Sequence, residues 1–145
     1  LERKKEDSNN INYYPVFESD IKPQVSLVGS GYVVGNLVEA AKSLEREHRI
    51  GSKVINIINP KSLDEKFSNL IEDGKPLLTG YNGNPNILQS QVALSLMKYS
   101  GSRPSKIEGH GFYFGDTGSI EDLTHAYRLD AEGIIKTLFE KFSLK

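Results

Sequence analysis

The sequence predicts an α/β fold in which a mostly parallel sheet is covered by helices on both faces. Short apolar runs rich in β-branched residues alternate four times with longer segments whose apolar residues recur every three or four positions. Helix start and stop signals, such as the Asn84-Pro85 pair and Gly74, separate these segments. Alternation of this kind is typical of parallel sheets, because each parallel connection needs a crossover segment.

Residues 1–24 are predicted to form an N-terminal arm, and residues 25–145 the folded domain. The arm is polar and irregular, so we expect a linker into the domain, with residues 12–17 as the part that could form a short strand instead. The sequence begins with Leu1 rather than Met, which suggests a piece of a longer chain.

The first strand–helix unit begins at residue 25. The strand at residues 25–28 ends at Gly29-Ser30-Gly31, and the next strand, residues 54–58, stops before Pro60. The helix between the two strands is predicted from one apolar side, formed by Val34, Leu37, Ala41 and Leu44.

Two helices and one strand follow. Ser62 and Glu65 have the spacing of a capping box, which predicts a helix from there to Gly74. The third strand covers residues 76–79, and Asn84-Pro85 supplies the cap and first residue of the next helix. That helix has one apolar stripe, formed by Leu88, Val92, Leu96 and Tyr99.

The last third of the chain predicts a weak strand at residues 106–109 and then a loop rich in glycine and aromatic residues, 110–118. Ser119 is the expected cap of a helix, and Asp130 begins the final one. The final helix has an apolar face formed by Ile134, Ile135, Leu138, Phe139 and Phe142.

Composition and charge narrow the function classes. The 145 residues include 18 Lys+Arg and 19 Asp+Glu, a net charge of -1 that argues against nucleic-acid or membrane-surface binding driven by bulk charge. The sequence contains no cysteine, which excludes disulfides and cysteine nucleophiles and agrees with a cytoplasmic protein. No apolar run approaches the length of a membrane span.

The sharpest motif is the G-x-G-x-x-x-G run of residues 29–35, between a strand and a helix. Such a turn can present backbone N–H groups and a helix N-terminus to a phosphate. A dinucleotide site also needs an acid at the end of the second strand, where residues 57–60 have none. The alternative is a structural turn in which Gly35 eases packing of the helix on the sheet.

A second candidate, residues 81–85, follows the third strand, and ligands of open α/β sheets bind outside carboxyl strand ends. The alternative is a turn in which Asn and Gly supply positive φ angles. An anion would be bound by five residues of the two turns: Gly29, Ser30, Gly31, Asn82 and Gly83.

No catalytic residue, cofactor-binding residue or metal ligand is predicted on this chain. The histidines, His48, His110 and His125, lack metal-ligand spacing, and of the three His110 in the glycine–aromatic loop merits a test. The aromatic run 112–114 has no basic flanks, so we interpret it as an anchor to a neighbouring domain or subunit rather than a base-stacking surface.

The order of motifs nevertheless resembles a known family. The opening consists of Val25–Gly31 and then Leu37–Ala41, and the next strand, Lys53–Ile57, leads to Pro60 and Leu63-Asp64. The most specific part is the end of the chain: Phe114, Gly118-Ser119, Glu121–Leu123 and Leu129–Ile134. Together these motifs resemble the C-terminal domain of the transketolase family, which includes deoxyxylulose-phosphate synthases and 2-oxo acid dehydrogenase β subunits.

The resemblance implies a three-layer α/β/α domain around a five-stranded mixed sheet with one strand antiparallel to the rest. It implies a parent transferase that uses thiamine diphosphate and Mg²⁺, both bound by preceding domains, to pass two-carbon units from a ketose or 2-oxo acid to an aldehyde. This domain would then be a structural, dimer-supporting part of a homodimer that is non-catalytic on its own and binds no cofactor itself. The alternative is a small nucleotide- or anion-binding module that uses the 29–35 turn.

Overall fold

Strands and helices alternate along the chain and build one mixed sheet between two helical layers. The structure is a computed structural model and describes residues 12–99, 103–112 and 119–144. Its elements are β1 (Tyr13–Glu18), β2 (Pro23–Ser30), α1 (Val33–His48), β3 (Gly51–Ile57), α2 (Glu65–Leu70), β4 (Leu77–Tyr81), α3 (Pro85–Lys98), β5 (Ile107–His110), α4 (Ile120–Ala126) and α5 (Ala131–Phe142). A 3₁₀ turn at Pro60–Ser62 precedes α2.

The five strands lie in the order β1-β3-β2-β4-β5. The pairs β2–β3, β2–β4 and β4–β5 are parallel, whereas β1 is antiparallel to β3. This confirms the expected five-stranded mixed sheet with one reversed strand. The first crossover, through α1, runs from β2 to β3, and the second, through α2, returns past β2 to β4. From β4 the chain continues through α3 to β5, away from β2, so the connections that leave β2 and β4 diverge at the boundary between these two strands.

The arm predicted at residues 1–24 includes the reversed strand. Tyr13 pairs with Ile57 and Glu18 with Lys53, with a register shift between Pro15 and Phe17. Residues 13–18 are thus the short strand and not the linker that we expected, because β3 offers an edge to which they can pair. Proline is tolerated there, since edge strands and bulges spare its missing N–H. The division of the chain at residue 24 stays a prediction, and residues 1–11 lie outside the described part.

Side chains that alternate along the strands supply two separate cores, as expected of a sheet covered on both faces. On one face of the sheet, Leu27, Val54 and Leu78 pack against α1 and α5. The helices contribute Leu37, Leu44, Ile134 and Leu138 to this core. On the other face, Val28, Ile55 and Leu77 pack against α2 and α3. These helices contribute Phe67, Leu88 and Val92 to the second core. The sheet is therefore sandwiched, and each helical layer has one inward face and one outward face.

Three helix starts agree with the sequence. The side chains of Asn84, Ser119 and Asp130 accept hydrogen bonds from the backbone N–H groups of Asn86 (2.9 Å), Asp122 (3.1 Å) and Gly133 (2.8 Å). These caps satisfy N–H groups that have no partner within their own helix.

The start of α2 differs from the prediction. Asp64, not Ser62, is the cap: its carboxylate accepts from the N–H of Phe67 at 3.1 Å and from the hydroxyl of Tyr13. The Ser62 hydroxyl accepts instead from the side-chain amide of Asn59 within the 3₁₀ turn. The helix ends at Leu70, before the expected stop at Gly74.

The end of α3 also differs from the expected stripe. The helix ends at Lys98, and Tyr99 has the extended backbone of a C-cap residue, φ -112° and ψ 152°. Tyr99 is therefore outside the stripe predicted for it. The remaining stripe residues, Leu88, Val92 and Leu96, are buried.

Candidate functional site

The two candidate turns meet at the carboxyl edge of the sheet. Gly29 of β2 lies opposite Gly80 of β4, and Ser30 lies opposite Tyr81. Because the crossovers diverge at this boundary, the crevice above it is the position where open α/β sheets bind ligands. The structure therefore brings Gly31 next to Asn82, with Gly29 and Ser30 at the end of β2 and Gly83 two residues after β4.

Glycines at this edge allow close packing. A Cβ atom on Gly29 would lie 2.5 Å from Leu37 Cδ1 and 3.3 Å from the carbonyl oxygen of Gly80. Gly31 has φ +78°, in the left-handed region that favours glycine. Gly35 is exposed, and a Cβ there would meet nothing within 4 Å. The interpretation of Gly35 as the glycine that eases helix–sheet packing is therefore wrong, and Gly29 has that role.

Asn82 covers the turn. Its side-chain Cγ, Oδ1 and Nδ2 atoms lie 2.8, 2.8 and 2.9 Å from the position that a Cβ on Gly31 would take. The carbonyl oxygen of Gly83 accepts a hydrogen bond from the N–H of Phe112 at 2.7 Å, which ties the loop after β5 to the loop after β4. Neither Asn82 nor Gly83 has a positive φ, so that part of the turn interpretation is wrong.

Aromatic rings border the crevice on the α4 side. The ring of Phe112 lies 6.1 Å from that of Tyr32 and 5.9 Å from that of Tyr127. Phe112 thus packs against rings of the same domain, which modifies its expected role as an anchor to a neighbour. Residues 113–118, which include the rest of that aromatic run, lie outside the described residues.

The cavity next to the turn is acidic. It has a volume of ≈ 350 Å³ and is lined by Tyr32, Asn36, Glu121, Thr124 and Asp130. The Asp130 carboxylate is already engaged by the N–H of Gly133 and by His125, at 2.8 and 3.0 Å. An anion in this cavity would meet two carboxylates and no cationic side chain among the lining residues, which disfavours a diphosphate there.

His110 lies at the end of β5, beside a second cavity of ≈ 270 Å³ that Glu108 and Arg128 also line. Burial lowers the pKa of His110, while a hydrogen bond with the backbone of Arg128 and the charge of Glu108 oppose the shift without cancelling it. The Nδ1 atom is buried and has no hydrogen-bond partner among the described residues.

The lowered pKa favours the neutral imidazole of His110. Arg128, which lines the same cavity, donates to Glu140 at 2.7 Å. An acid–base or nucleophilic role needs a nucleophile or a carboxylate within hydrogen-bond reach of the ring, and the described hydrogen bonds place none there.

The other two histidines, His48 and His125, each contact a side chain of α5 or of its N-cap. His48 ends α1, and its ring stacks edge-on against Phe139 with 4.9 Å between ring centroids. His125 is on the surface and contacts Asp130. Among the residues that the structure describes, no group of three or more His, Cys, Asp or Glu side chains could hold a metal ion. None of the described helices has the length and apolarity needed to cross a membrane.

Comparison with known proteins places these features in context. The family model of the transketolase C-terminal domain matches residues 16–134. No curated protein sequence matches the chain.

Solved transketolases have the same fold. A Pichia stipitis transketolase in complex with xylulose 5-phosphate is 17% identical, with a TM-score of 0.67 over 99% of this chain and 20% of its own. The Campylobacter jejuni enzyme is 15% identical, with a TM-score of 0.64 over 90% and 18%. A split-gene transketolase, described as an inactive beta4 tetramer, is 22% identical, with a TM-score of 0.64 over 86% and 40%. The chain thus spans less than half the length of each of these proteins.

Proposed function

Because the chain belongs to the transketolase C-terminal domain family, we propose that it is the assembly domain of a thiamine-diphosphate-dependent transferase of two-carbon units. The observation that carries this proposal is the family match over residues 16–134, which takes in part of β1 and continues into α5. In this proposal the domain packs against the preceding cofactor-binding domains, supports a homodimer in the cytoplasm and is not catalytic alone.

The size of the relatives supports a role as part of a larger enzyme. The chain spans 18% and 20% of the single-chain transketolases from Campylobacter jejuni and Pichia stipitis. The split-gene transketolase chain, of which this chain covers 40%, is described as an inactive tetramer. A separate chain that includes this kind of domain is thus inactive in that relative, which agrees with a domain that depends on others for chemistry.

The proposed cofactors, thiamine diphosphate and Mg²⁺, are assigned to the parent enzyme and not to this chain. When bound, thiamine diphosphate supplies the electron sink for cleaving a carbon–carbon bond of the donor. The residues at the 29–31 turn do not fit its diphosphate, because Glu121 and Asp130 line the adjoining cavity. This chain's own contribution is therefore to pack and to orient its neighbours.

A complementation experiment tests the proposal. The 145-residue chain is assayed alone and within the complete polypeptide or subunit assembly that contains it, with thiamine diphosphate, Mg²⁺, xylulose 5-phosphate and ribose 5-phosphate. We expect two-carbon transfer from the assembly and none from the chain alone. Transfer by the chain alone would contradict the non-catalytic role, and an intact assembly without transfer would contradict the transferase assignment.

The second candidate function is an anion- or nucleotide-binding module. It is favoured by the position of Gly31 and Asn82 at the carboxyl edge, where the crossovers diverge. Thermal melting with NADP, ADP or sulfate tests it, because a ligand at 100 times its dissociation constant stabilises a protein by about 2.7 kcal/mol. We expect no shift, given the carboxylates beside the turn. A shift that Gly31→Val abolishes would favour the binding module.

A further inference from the structure

Helix α3 is apolar on two opposite faces. Its inward face packs in the core, and its outward face carries Ile87, Ser90, Leu94 and Met97, which lie on one side because they are spaced three or four residues apart. On that outward face Ile87 is 50% exposed, Leu94 60% and Met97 74%. We call these four residues the α3 outer face.

The α3 outer face has no charged side chains, whereas the exposed side of the α1 and α5 layer has several. The 14 residues of α3 include one charged side chain, Lys98. By contrast, exposed positions of α1 include Glu39, Lys42 and Arg46, and those of α5 include Lys136. Exposed apolar side chains that are grouped together mark surfaces that bind another protein surface. Among the residues that the structure describes, the α3 outer face is therefore a surface suited to being covered.

A cavity of ≈ 150 Å³ adjoins the outer face, between α3 and the 3₁₀ turn, with Leu63 and Leu94 among its lining residues. Its charged lining residues are Lys61 and Lys98, and both are exposed. Ile58, two residues before the turn, is 53% exposed. The surface thus offers a small recess of mixed polar and apolar lining with a cationic rim, next to exposed apolar side chains. Such a surface is complementary to an apolar side chain flanked by carboxylates.

We propose that the α3 outer face and this recess are the docking surface for the cofactor-binding domains of the parent enzyme. The inference rests on the proposed function and specifies which surface serves it. The occupant follows from size and charge. Single-chain transketolases devote about four-fifths of their length to other domains, since this chain spans 18% and 20% of them.

A second copy of this chain is a poorer occupant. In a twofold interface each copy presents the same patch, so Lys61 and Lys98 would face an identical patch. The recess lining and α3 contain no carboxylate to pair with them.

Photocrosslinking in the complete enzyme assembly identifies the occupant. The photoreactive amino acid p-benzoylphenylalanine replaces Leu94, and crosslinked peptides are identified by mass spectrometry. We expect crosslinks to the cofactor-binding domains. The matched control places the same amino acid at Glu39, on the charged outer face of α1, and we expect no crosslink there. Crosslinks from position 94 to another copy of residues 1–145, or no crosslinks at all, would overturn the inference.

Methionine oxidation gives an independent readout, because Met97 is the only methionine of the 145 residues. A Glu39→Met variant of the assembled enzyme carries a second, exposed methionine as an internal reference. Treated with hydrogen peroxide, Met97 should oxidise about tenfold more slowly than the reference, since oxidation follows exposure. Equal rates would overturn the inference.

The two proposals fail separately. An assembly that transfers two-carbon units while position 94 remains uncrosslinked and Met97 oxidises freely contradicts the docking surface alone. An assembly in which position 94 crosslinks to a neighbouring domain, but which transfers no two-carbon unit, contradicts the proposed function and leaves the docking surface supported.

Discussion

The two helical layers differ in what they present to the outside. The α1 and α5 layer presents charged residues, with the ion pair of Arg128 and Glu140 at 2.7 Å across its surface. The α3 layer presents Leu94 and Met97, which are 60% and 74% exposed. Both layers bury a well-packed inner face against the same sheet. The inner faces are apolar because they form the core of the domain. The difference between the outer faces therefore indicates which helical layer contacts another protein surface.

The largest expected effect separates the two faces of α3. Leu88→Ala should destabilise the chain by about 2–5 kcal/mol, because it leaves a cavity among buried side chains. Leu94→Ala, the matched change on the outer face, should change stability by no more than about 0.5 kcal/mol in the chain outside its assembly. Urea unfolding of both variants measures this. A loss at Leu94 as large as that at Leu88 would show that the chain covers this face by itself.

Two glycines on the α1 side of the molecule, one in β2 and one in α1, should change stability in opposite directions. Gly29→Ala should cost about 1–3 kcal/mol, because the new methyl would overlap Leu37 in a packed core. Gly35→Ala, on the exposed side of α1, should stabilise by about 0.5–1 kcal/mol through better helix propensity. Thermal and urea unfolding compare them. If Gly35→Ala destabilised the chain, Gly35 and not only Gly29 would be needed for close packing.

The cap of α2 should make part of the stability depend on pH. Burial raises the pKa of Asp64, but the hydrogen bonds from Tyr13 and from the N–H of Phe67 together outweigh this effect. The pKa of Asp64 is therefore below its ordinary value. Such a group stabilises the fold above its unfolded pKa of about 4, and this contribution is lost as the pH falls through the lower folded value. Asp64→Ala should therefore cost about 1 kcal/mol at pH 7 and less at about pH 3.

The control for this change is Ser119→Ala, which removes a cap without a titrating group. Its cost should be similar at pH 7 and should not change with pH. Urea unfolding at both pH values supplies the comparison. A constant gap between Asp64→Ala and the parent chain down to about pH 3 would contradict the assigned hydrogen bonds of the carboxylate.

The smallest effect concerns the charged layer. A hydrogen bond from Arg128 holds the pKa of Glu140 below its ordinary value, and the side chain of Glu140 is exposed to solvent. Carboxyl NMR titration should find the depressed pKa, and Arg128→Gln should return it towards the ordinary value. Added salt should weaken the depression, because exposed pairs are screened. An unchanged pKa in Arg128→Gln would remove the ion pair from the description of this layer.

The parallel part of the fold could be predicted from the sequence because its signals are local. The β-branched run 54–58, the apolar side of α1 and the Asn84-Pro85 start each depend on neighbours along the chain. Strand β1 was predicted only as an alternative for residues 12–17, because a segment with Pro15 becomes a strand only when the edge of β3 is beside it. The cap of α2 depends similarly on a distant partner, since Tyr13 donates to Asp64 across the fold.

The candidate site was predictable to the same extent. The meeting of Gly29–Gly31 with Asn82 follows from the carboxyl ends of neighbouring parallel strands. The carboxylates of Glu121 and Asp130 beside the turn were not predictable as a pair, because they come from separate helices and belong to no motif. Those two side chains are what weigh against an anion and towards an assembly role.

The central claim is that the domain contributes packing through α3 rather than chemistry. An experimental structure of the complete enzyme assembly tests it most directly, through the exposure of Leu94 and Met97. We expect both side chains to be buried against the cofactor-binding domains, while Glu39 and Lys136 stay in solvent. Exposed Leu94 and Met97, with the charged outer face of α1 covered instead, would contradict the account.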